Sequence, residues 1–122
     1  MKQGGGNVAA TEASMPPYHG LFRYNVDGAP GLLKDKASGR EAAMRKGFAS
    51  TGGEMQALYW SINGEYSAAT VVEFPDNLSA TAFEAAISAS GAFERLEVCE
   101  VLTTAEMDAA LAKSVAYRPP SA

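Results

Sequence analysis

Apolar and polar residues alternate along four stretches of the chain, a pattern that predicts β-strands. The stretches cover residues 18–24, 55–61, 65–74 and 93–102. Helical spacing predicts three helices, over residues 28–51, from Pro75-Asp76 to Gly91, and from Thr103 onward. The order β-α-β-β-α-β-α predicts a ferredoxin-like α+β fold. We therefore expect a four-stranded antiparallel sheet with the helices on one face and an extra C-terminal helix.

Local signals set the ends of the predicted helices. Gly52-Gly53 supplies a C-terminal stop for the first helix, and Gly39 predicts a break near its first third. Thr103 with Glu106 three residues later forms a capping box that opens the last helix. The side chains of that helix expected to point inward are Met107, Ala110 and Leu111.

The dipeptide Asn63-Gly64 predicts a two-residue hairpin turn, because both residues adopt positive φ readily. Such a turn pairs Trp60 with Ser67 and Tyr59 with Ala68, and directly paired residues share a face of the sheet. The helix-covered face is then expected to hold Phe22, Tyr24, Met55, Ala57, Tyr59, Tyr66, Ala68, Thr70, Val72, Phe74, Leu96 and Val98. The opposite face is expected to hold His19, Leu21, Arg23, Gln56, Leu58, Trp60, Ser67, Ala69, Val71, Glu73, Arg95, Glu97 and Cys99.

This second face carries several apolar side chains that no helix of the predicted fold would cover. They include Leu58, Trp60, Ala69 and Val71. An uncovered apolar sheet face usually marks a partner surface. We therefore expect a homodimer or higher oligomer formed face to face, with a cleft between the two sheets.

The two ends of the chain lack the periodicity of the middle. Residues 1–15 are rich in small and polar side chains and predict a flexible arm, and residues 118–122 form a second tail. The intervening residues 16–117 are expected to fold as one domain, since 122 residues in total fit a single core.

Charge and composition exclude several classes of partner. The net charge is -4, and the ten basic residues form no stripe of the kind that nucleic acids require. No apolar run reaches the length of a membrane-spanning helix. The single cysteine, Cys99, cannot form an intramolecular disulfide, which favours a reducing, cytoplasmic location.

The third strand carries the strongest resemblance to a known family. Gly64-Glu65-Tyr66, running into residues 69–76, resembles the signature region of GYD-domain proteins. Similar residues extend over roughly residues 16–113, and include Phe22-Arg23-Tyr24 and Leu58-Tyr59-Trp60. Gly64 and Tyr66 match the spacing of the signature, while Ser67 stands where the family has Asp. The resemblance implies a ferredoxin-like fold of the dimeric α/β-barrel kind and no particular activity. Because serine has no carboxylate, it could not fill any role that depends on a carboxylate at this position.

Candidate site residues lie mainly on the expected open face. Ligand-binding or dimer-cleft candidates are Trp60, Ser67, Glu73, Arg95 and Glu97, and catalytic candidates are His19 and Arg23. An arginine there offers fixed donors to an anionic or carbonyl ligand, and also fits a cross-strand ion pair. His19 is the only histidine and no ligand-spaced Cys or His accompanies it, so no metal site and no cofactor are expected.

Two functions fit these features. The first is a non-enzymatic protein that self-assembles or binds a small organic ligand in a cleft between sheet faces. The alternative is a cofactor-poor enzyme of the dimeric-barrel type, monooxygenase-like or isomerase-like, which would use His19 and Arg23 on a small organic molecule. A structural component that uses residues 1–15 as an arm is a third interpretation.

Overall fold

The computed structural model describes residues 15–61 and 63–121. The elements in chain order are β1 (Pro17–Tyr24), α1 (Ala29–Ser50), β2 (Glu54–Trp60), β3 (Ala68–Glu73), α2 (Asn77–Ala89), β4 (Phe93–Glu100) and α3 (Thr104–Leu111). The four strands form one antiparallel sheet in the order β2-β3-β1-β4. This architecture confirms the predicted ferredoxin-like fold with its extra C-terminal helix. The predicted N-terminal arm lies, apart from Met15, outside the described residues.

Helices α1 and α2 cover one face of the sheet and build the core with it. The buried cluster joins residues of both helices and of β1, β2 and β3, namely Tyr18, Phe48, Met55, Val72, Phe74 and Ala80. Phe74 is fully buried and its ring meets the ring edges of Tyr18 and Phe48. Within β1, β3 and β4 the faces predicted for the strand residues are confirmed, since β1 pairs Phe22 with Ala68 on one side and with Leu96 on the other. Tyr66, expected on the helix-covered face of the third strand, lies instead in the connection before β3.

Strand β2 departs from the predicted pairing halfway along its length. Met55 pairs with Val72 as predicted, but the register shifts before Ala57, which pairs with Val71. Gln56 is the extra residue of a β-bulge, and a one-residue bulge moves every later side chain to the other face. The predicted pairs Trp60–Ser67 and Tyr59–Ala68 are therefore wrong.

The bulge exchanges the faces of the residues that follow it. Trp60 pairs with Ala68, and Leu58, which pairs with Thr70, packs against the core cluster. Ala57 and Tyr59 lie instead on the open face. We use "open face" for the sheet side away from α1 and α2, with Leu21, Ala57, Tyr59, Ala69 and Val71 as its apolar residues.

Helix α1 contains a kink at a position other than the predicted one. Lys36 has φ 64° and ψ 168°, whereas Gly39, where the break was expected, is helical. This region of φ/ψ space is almost confined to glycine. The kink divides α1 into a short first segment, residues 29–35, and a longer segment that carries Phe48 into the core.

The C-terminal helix has the predicted cap but not the predicted packing. The Thr103 hydroxyl oxygen accepts from the Glu106 N–H at 3.1 Å, and the Glu106 carboxylate accepts from the Thr103 N–H at 2.8 Å. Met107, Ala110 and Leu111, expected inward, are exposed. We call residues 102–121 the C-terminal arm, because every one of them is exposed and α3 makes no extensive contact with another element. Across the described residues no helix is long and apolar enough to cross a bilayer.

Candidate functional site

A cavity of about 360 Å³ lies between the helices and the sheet. We call it the core cavity. Its walls are mainly apolar, with Phe22, Leu96 and Val98 on the sheet side and Met44, Phe83 and Ile87 on the helix side. Its volume falls near the lower end of the roughly 300–1,000 Å³ typical of small-molecule sites. The cavity can therefore hold a small organic molecule.

Small residues in its lining leave room for the core cavity. Gly20 on the central strand lines it, and a Cβ there would come within 2.9 Å of the Thr70 side chain. Gly31 on α1 also lines it, and a Cβ there would meet no atom within 4 Å. Gly47 and Ala43 leave further room along α1. Protein interiors are normally packed so tightly that few voids exceed the size of a water molecule. The small residues in its lining explain why this cavity is larger.

The core cavity has one polar corner, formed by Arg40 and Tyr24. The Arg40 Nε–H donates to the Tyr24 hydroxyl at 3.4 Å, and Nη1 lies 3.4 Å from the Asp35 carboxylate. The hydrogen bond to Tyr24 raises the pKa of Arg40 above its ordinary value, and the contact with Asp35 adds to this while partial burial opposes it. The guanidinium is therefore a fixed positive charge beside an apolar space.

A second, wider depression of about 580 Å³ lies at the end of the sheet where β2 turns into β3. We call it the loop groove. One wall is the signature loop, which we define as Ser61 and residues 63–67, and the other is the first part of α1 with Leu32, Leu33 and Lys36. Trp60, Arg23 and Tyr24 form its base. Tyr24 lines both the groove and the core cavity, so the two spaces adjoin at that side chain.

Backbone hydrogen bonds hold the signature loop in place. The Ser61 N–H donates to the Ser67 carbonyl at 2.9 Å, and the Ser67 N–H donates to the Phe22 carbonyl at 2.7 Å. The Gly64 N–H donates to the Ser61 hydroxyl at 2.8 Å, and a Cβ on Gly64 would overlap that hydroxyl. The loop therefore needs glycine where the family signature has it. The connection between β2 and β3 is therefore longer than the predicted two-residue turn.

Ser67 completes the pairing of β1 through its side chain. Its hydroxyl oxygen accepts a hydrogen bond from the Tyr24 N–H at 3.2 Å. A carboxylate oxygen at the same position would accept that bond equally well. The aspartate that the resemblance leads us to expect here could therefore make the same contact as the serine.

Two arginines on the open face anchor the same loop. Arg23 pairs directly with Arg95 across β1 and β4. Arg95 Nη1 lies 2.7 Å from the Glu65 carboxylate, and Arg23 donates to the Glu65 carbonyl at 2.8 Å. Arg23 also lies 3.7 Å from the Glu94 carboxylate. Both arginines therefore form ion pairs, and their contacts with Glu65 hold the loop against the sheet.

The predicted site residues do not gather in one place. Trp60, Ser67, Arg23 and Arg95 gather around the signature loop, and the first three line the groove. Trp60 reaches it from the helix-covered face, where its ring edge meets Phe22 at 6.0 Å between centroids. The remaining candidates lie elsewhere. Glu73 pairs with Pro17 at the far end of β1, and Glu97 pairs with Leu21 on the open face.

The structure does not bring His19 and Arg23 together. They lie four residues apart on β1, which separates them by roughly 13 Å along an extended strand. His19 pairs with Val71 and with Cys99, and its Nε2 atom is buried with no hydrogen-bond partner among the described residues. Cys99 is an exposed free thiol. Both residues belong to the open face of β1, as expected, and the alternative of an enzyme built on them stays a prediction.

Sequence reasoning missed Arg40, Tyr24 as a wall of two spaces, and the core cavity itself. A signal for Arg40 exists in the chain: it precedes Met44 and Phe48 at intervals of four, so it shares their inward helix face. A charged residue on an apolar face is the informative observation. In the described part of the chain no group of three or more His, Cys, Asp or Glu side chains is placed to hold a metal ion.

Comparisons with known proteins agree with the residue-level resemblance. The family model for the GYD domain matches residues 18–111, which includes the signature loop and all seven elements except Pro17, the first residue of β1. A search of curated proteins and a search of solved structures found no match.

Proposed function

The chain belongs to the GYD domain family, and we propose that this member binds a small, largely apolar organic molecule in the core cavity. The observation that carries the proposal is the cavity of about 360 Å³ between α1, α2 and the sheet. An apolar space with one polar corner is the usual composition of a small-molecule site, because apolar walls supply affinity and a few polar groups fix orientation. The molecule would be held within one chain, in contrast to a cleft between two sheet faces.

The loop groove supports this proposal as an entrance. It adjoins the core cavity at Tyr24, and its outer wall is the signature loop. The first segment of α1 forms the facing wall and is largely exposed, so it has few packing contacts to lose on moving. A ligand entering here would pass Trp60 and Tyr24 before reaching the apolar interior.

A cavity-filling variant tests the proposal directly. Gly31→Leu places a branched side chain at a cavity-lining position where a Cβ meets no atom within 4 Å. Ala42→Leu is the matched control, since Ala42 is an exposed α1 residue outside the cavity lining. Titration calorimetry with benzyl alcohol should give saturable binding to the natural chain and to Ala42→Leu, and at least tenfold weaker binding to Gly31→Leu. Equal binding by all three proteins would refute the cavity as the site.

Self-assembly through the open face is a second proposal, with its own observation. Tyr59 is 73% exposed and Val71 is 40% exposed on this face. The C-terminal arm adds Leu102, Met107, Leu111, Val115 and Tyr117 to the exposed apolar side chains. An eight-residue helix such as α3 is marginal without packing, and contiguous apolar patches of several hundred Å² usually mark protein contacts. We take a second copy of the chain as the partner and the cytoplasm as its location, in line with the single unpaired cysteine.

Sedimentation equilibrium at micromolar concentration tests the assembly. The natural chain should sediment as a dimer or larger species, and Tyr59→Glu should sediment as a monomer. Leu78→Glu is the control, since Leu78 is 82% exposed on α2, away from the open face. A chain ending at Val101 lacks the C-terminal arm, so its sedimentation shows whether the arm takes part in the assembly. A stable natural monomer would exclude the assembly without affecting the cavity proposal.

A further inference from the structure

The polar side chains that line the core cavity differ in what they still offer a ligand. Four line it, namely Tyr24, Arg40, Thr70 and Ser90. The Thr70 hydroxyl donates to the Ala57 carbonyl at 2.7 Å, and the Ser90 hydroxyl donates to the Ile87 carbonyl at 2.7 Å. Both hydroxyl protons are thus already used within the chain. Among these four side chains, the hydrogen-bond donors that remain for a ligand belong to Tyr24 and Arg40.

Tyr24 and Arg40 offer hydrogen-bond donors to that corner. The Tyr24 hydroxyl accepts from Arg40, and among the described residues its own proton has no acceptor. Arg40 has five N–H donors and uses two of them, each in a contact of 3.4 Å, longer than the usual 2.7–3.2 Å. Arg40 has no acceptor, and its charge persists at any physiological pH.

Aromatic rings stand beside these donors. Tyr24 stacks on Phe93 with centroids 5.1 Å apart, and Phe22 meets Phe93 edge-on at 5.5 Å. All three rings line the core cavity. A flat apolar body can lie against this aromatic wall while an acceptor group at its end meets Arg40 and Tyr24.

From this placement we infer that the ligand is a small aromatic or otherwise apolar carboxylic acid, bound as its carboxylate, with Arg40 and Tyr24 as the recognition residues. A carboxylate presents acceptors alone and matches the planar fork of an arginine. An amine of the same size would bind less well, because it would bring a positive charge and further donors to a corner where Arg40 and Tyr24 already supply both. This inference rests on the cavity as the binding site and adds the chemical class of what it takes.

Three probes of one shape test the class, namely benzoate, benzyl alcohol and benzylamine. Titration calorimetry on the full chain at pH 7 should give a dissociation constant for benzoate at least tenfold below that for benzyl alcohol, with benzylamine the weakest. In Arg40→Gln the affinity for benzoate should fall by more than the affinity for benzyl alcohol, so that the preference for benzoate drops below threefold. Tyr24→Phe should reduce the preference in part.

Asp35→Asn serves as the matched control. It removes the carboxylate that Arg40 contacts but keeps the guanidinium, so the preference for benzoate should persist or increase. Retained benzyl alcohol binding by each variant also reports that its cavity is still formed. If the natural chain binds benzyl alcohol or benzylamine as tightly as benzoate, the ligand class is wrong and the cavity proposal stands. Saturable binding of none of the three probes would remove the cavity proposal itself.

Discussion

The Ser67 hydroxyl oxygen accepts a hydrogen bond from the Tyr24 N–H, and this bond joins the signature loop to the residue that separates the loop groove from the core cavity. Ser67→Ala should leave the partly buried Tyr24 N–H without its acceptor and lower the free energy of unfolding by about 1 kcal/mol. Ser67→Asp restores the family residue and an acceptor oxygen, so its stability should stay within about 0.5 kcal/mol of the natural chain. Urea unfolding of the three proteins measures the difference. An alanine variant as stable as the natural chain would contradict this assignment.

The register of β2 predicts opposite effects at two neighbouring residues. Trp60 packs against Phe22 on the helix-covered face, so Trp60→Ala should lower the free energy of unfolding by about 2–4 kcal/mol. Tyr59 is 73% exposed, and Tyr59→Ala should change it by less than about 0.5 kcal/mol when protein is too dilute to associate. Chemical unfolding at low concentration provides both values. The reverse order of effects would mean that the strand follows the uninterrupted alternation instead.

This pair of residues also marks how far the sequence predicts the structure. Alternation places β1, β3 and residues 95–99 of β4 correctly, because these stretches keep a period of two. At the start of β4 the register shifts, since Arg23 pairs with Arg95 but Tyr24 pairs with Phe93. In β2 the same reasoning succeeds at Met55 and fails from Ala57 onward, because the bulge at Gln56 leaves no mark in the hydrophobic pattern. The Asn63-Gly64 signal reinforces the error, since a two-residue turn would require the unshifted register.

The candidate site was predicted only in part, for a different reason. The expected open face drew attention to Trp60 and Ser67. Both line the loop groove, but Trp60 does so from the helix-covered face. The core cavity depends on how far α1 stands from the sheet and on small residues from separate elements, such as Gly20 and Gly31. No local pattern encodes such a distance. The sequence could have placed Arg40 as a charged residue on the inward face of α1. It offers no sign that Tyr24 would be the partner of Arg40.

The kink in α1 predicts a stabilising substitution. Lys36 adopts φ 64° and ψ 168°, where a side chain costs roughly 1–3 kcal/mol and glycine fits without strain. Lys36→Gly should raise the free energy of unfolding by about 1 kcal/mol after the added entropy of the unfolded chain is subtracted. Lys34→Gly, two residues earlier in helical conformation, is the control and should lower it by about 1 kcal/mol. Equal losses at both positions would show that Lys36 is helical in solution.

The N-cap of α2 predicts a pH-dependent stability. The Asp76 carboxylate accepts from the Ser79 N–H at 2.8 Å, and this bond holds the pKa of Asp76 below its ordinary value of 3.8. Because the folded pKa is the lower one, the charged form stabilises the fold at neutral pH, and this contribution disappears as the pH falls from 3.8 through the folded pKa. Asp76→Asn keeps a cap without a titrating charge. Its melting temperature should be lower than that of the natural chain at pH 7, and the gap should close below pH 3.8. A gap that stays constant from pH 7 to pH 2 would count against the charge.

The location of a bound ligand tests the central claim most directly, and the methionines of the chain are well placed to report it. Met44 lines the core cavity, Met55 lies in the core outside its lining, and Met107 is exposed on α3. With methyl-labelled methionine and bound benzoate, nuclear Overhauser effects should connect the benzoate ring protons to the Met44 methyl group and not to that of Met107. Saturable benzoate binding with contacts to Met107, or with none to Met44, would contradict the core cavity as the binding site.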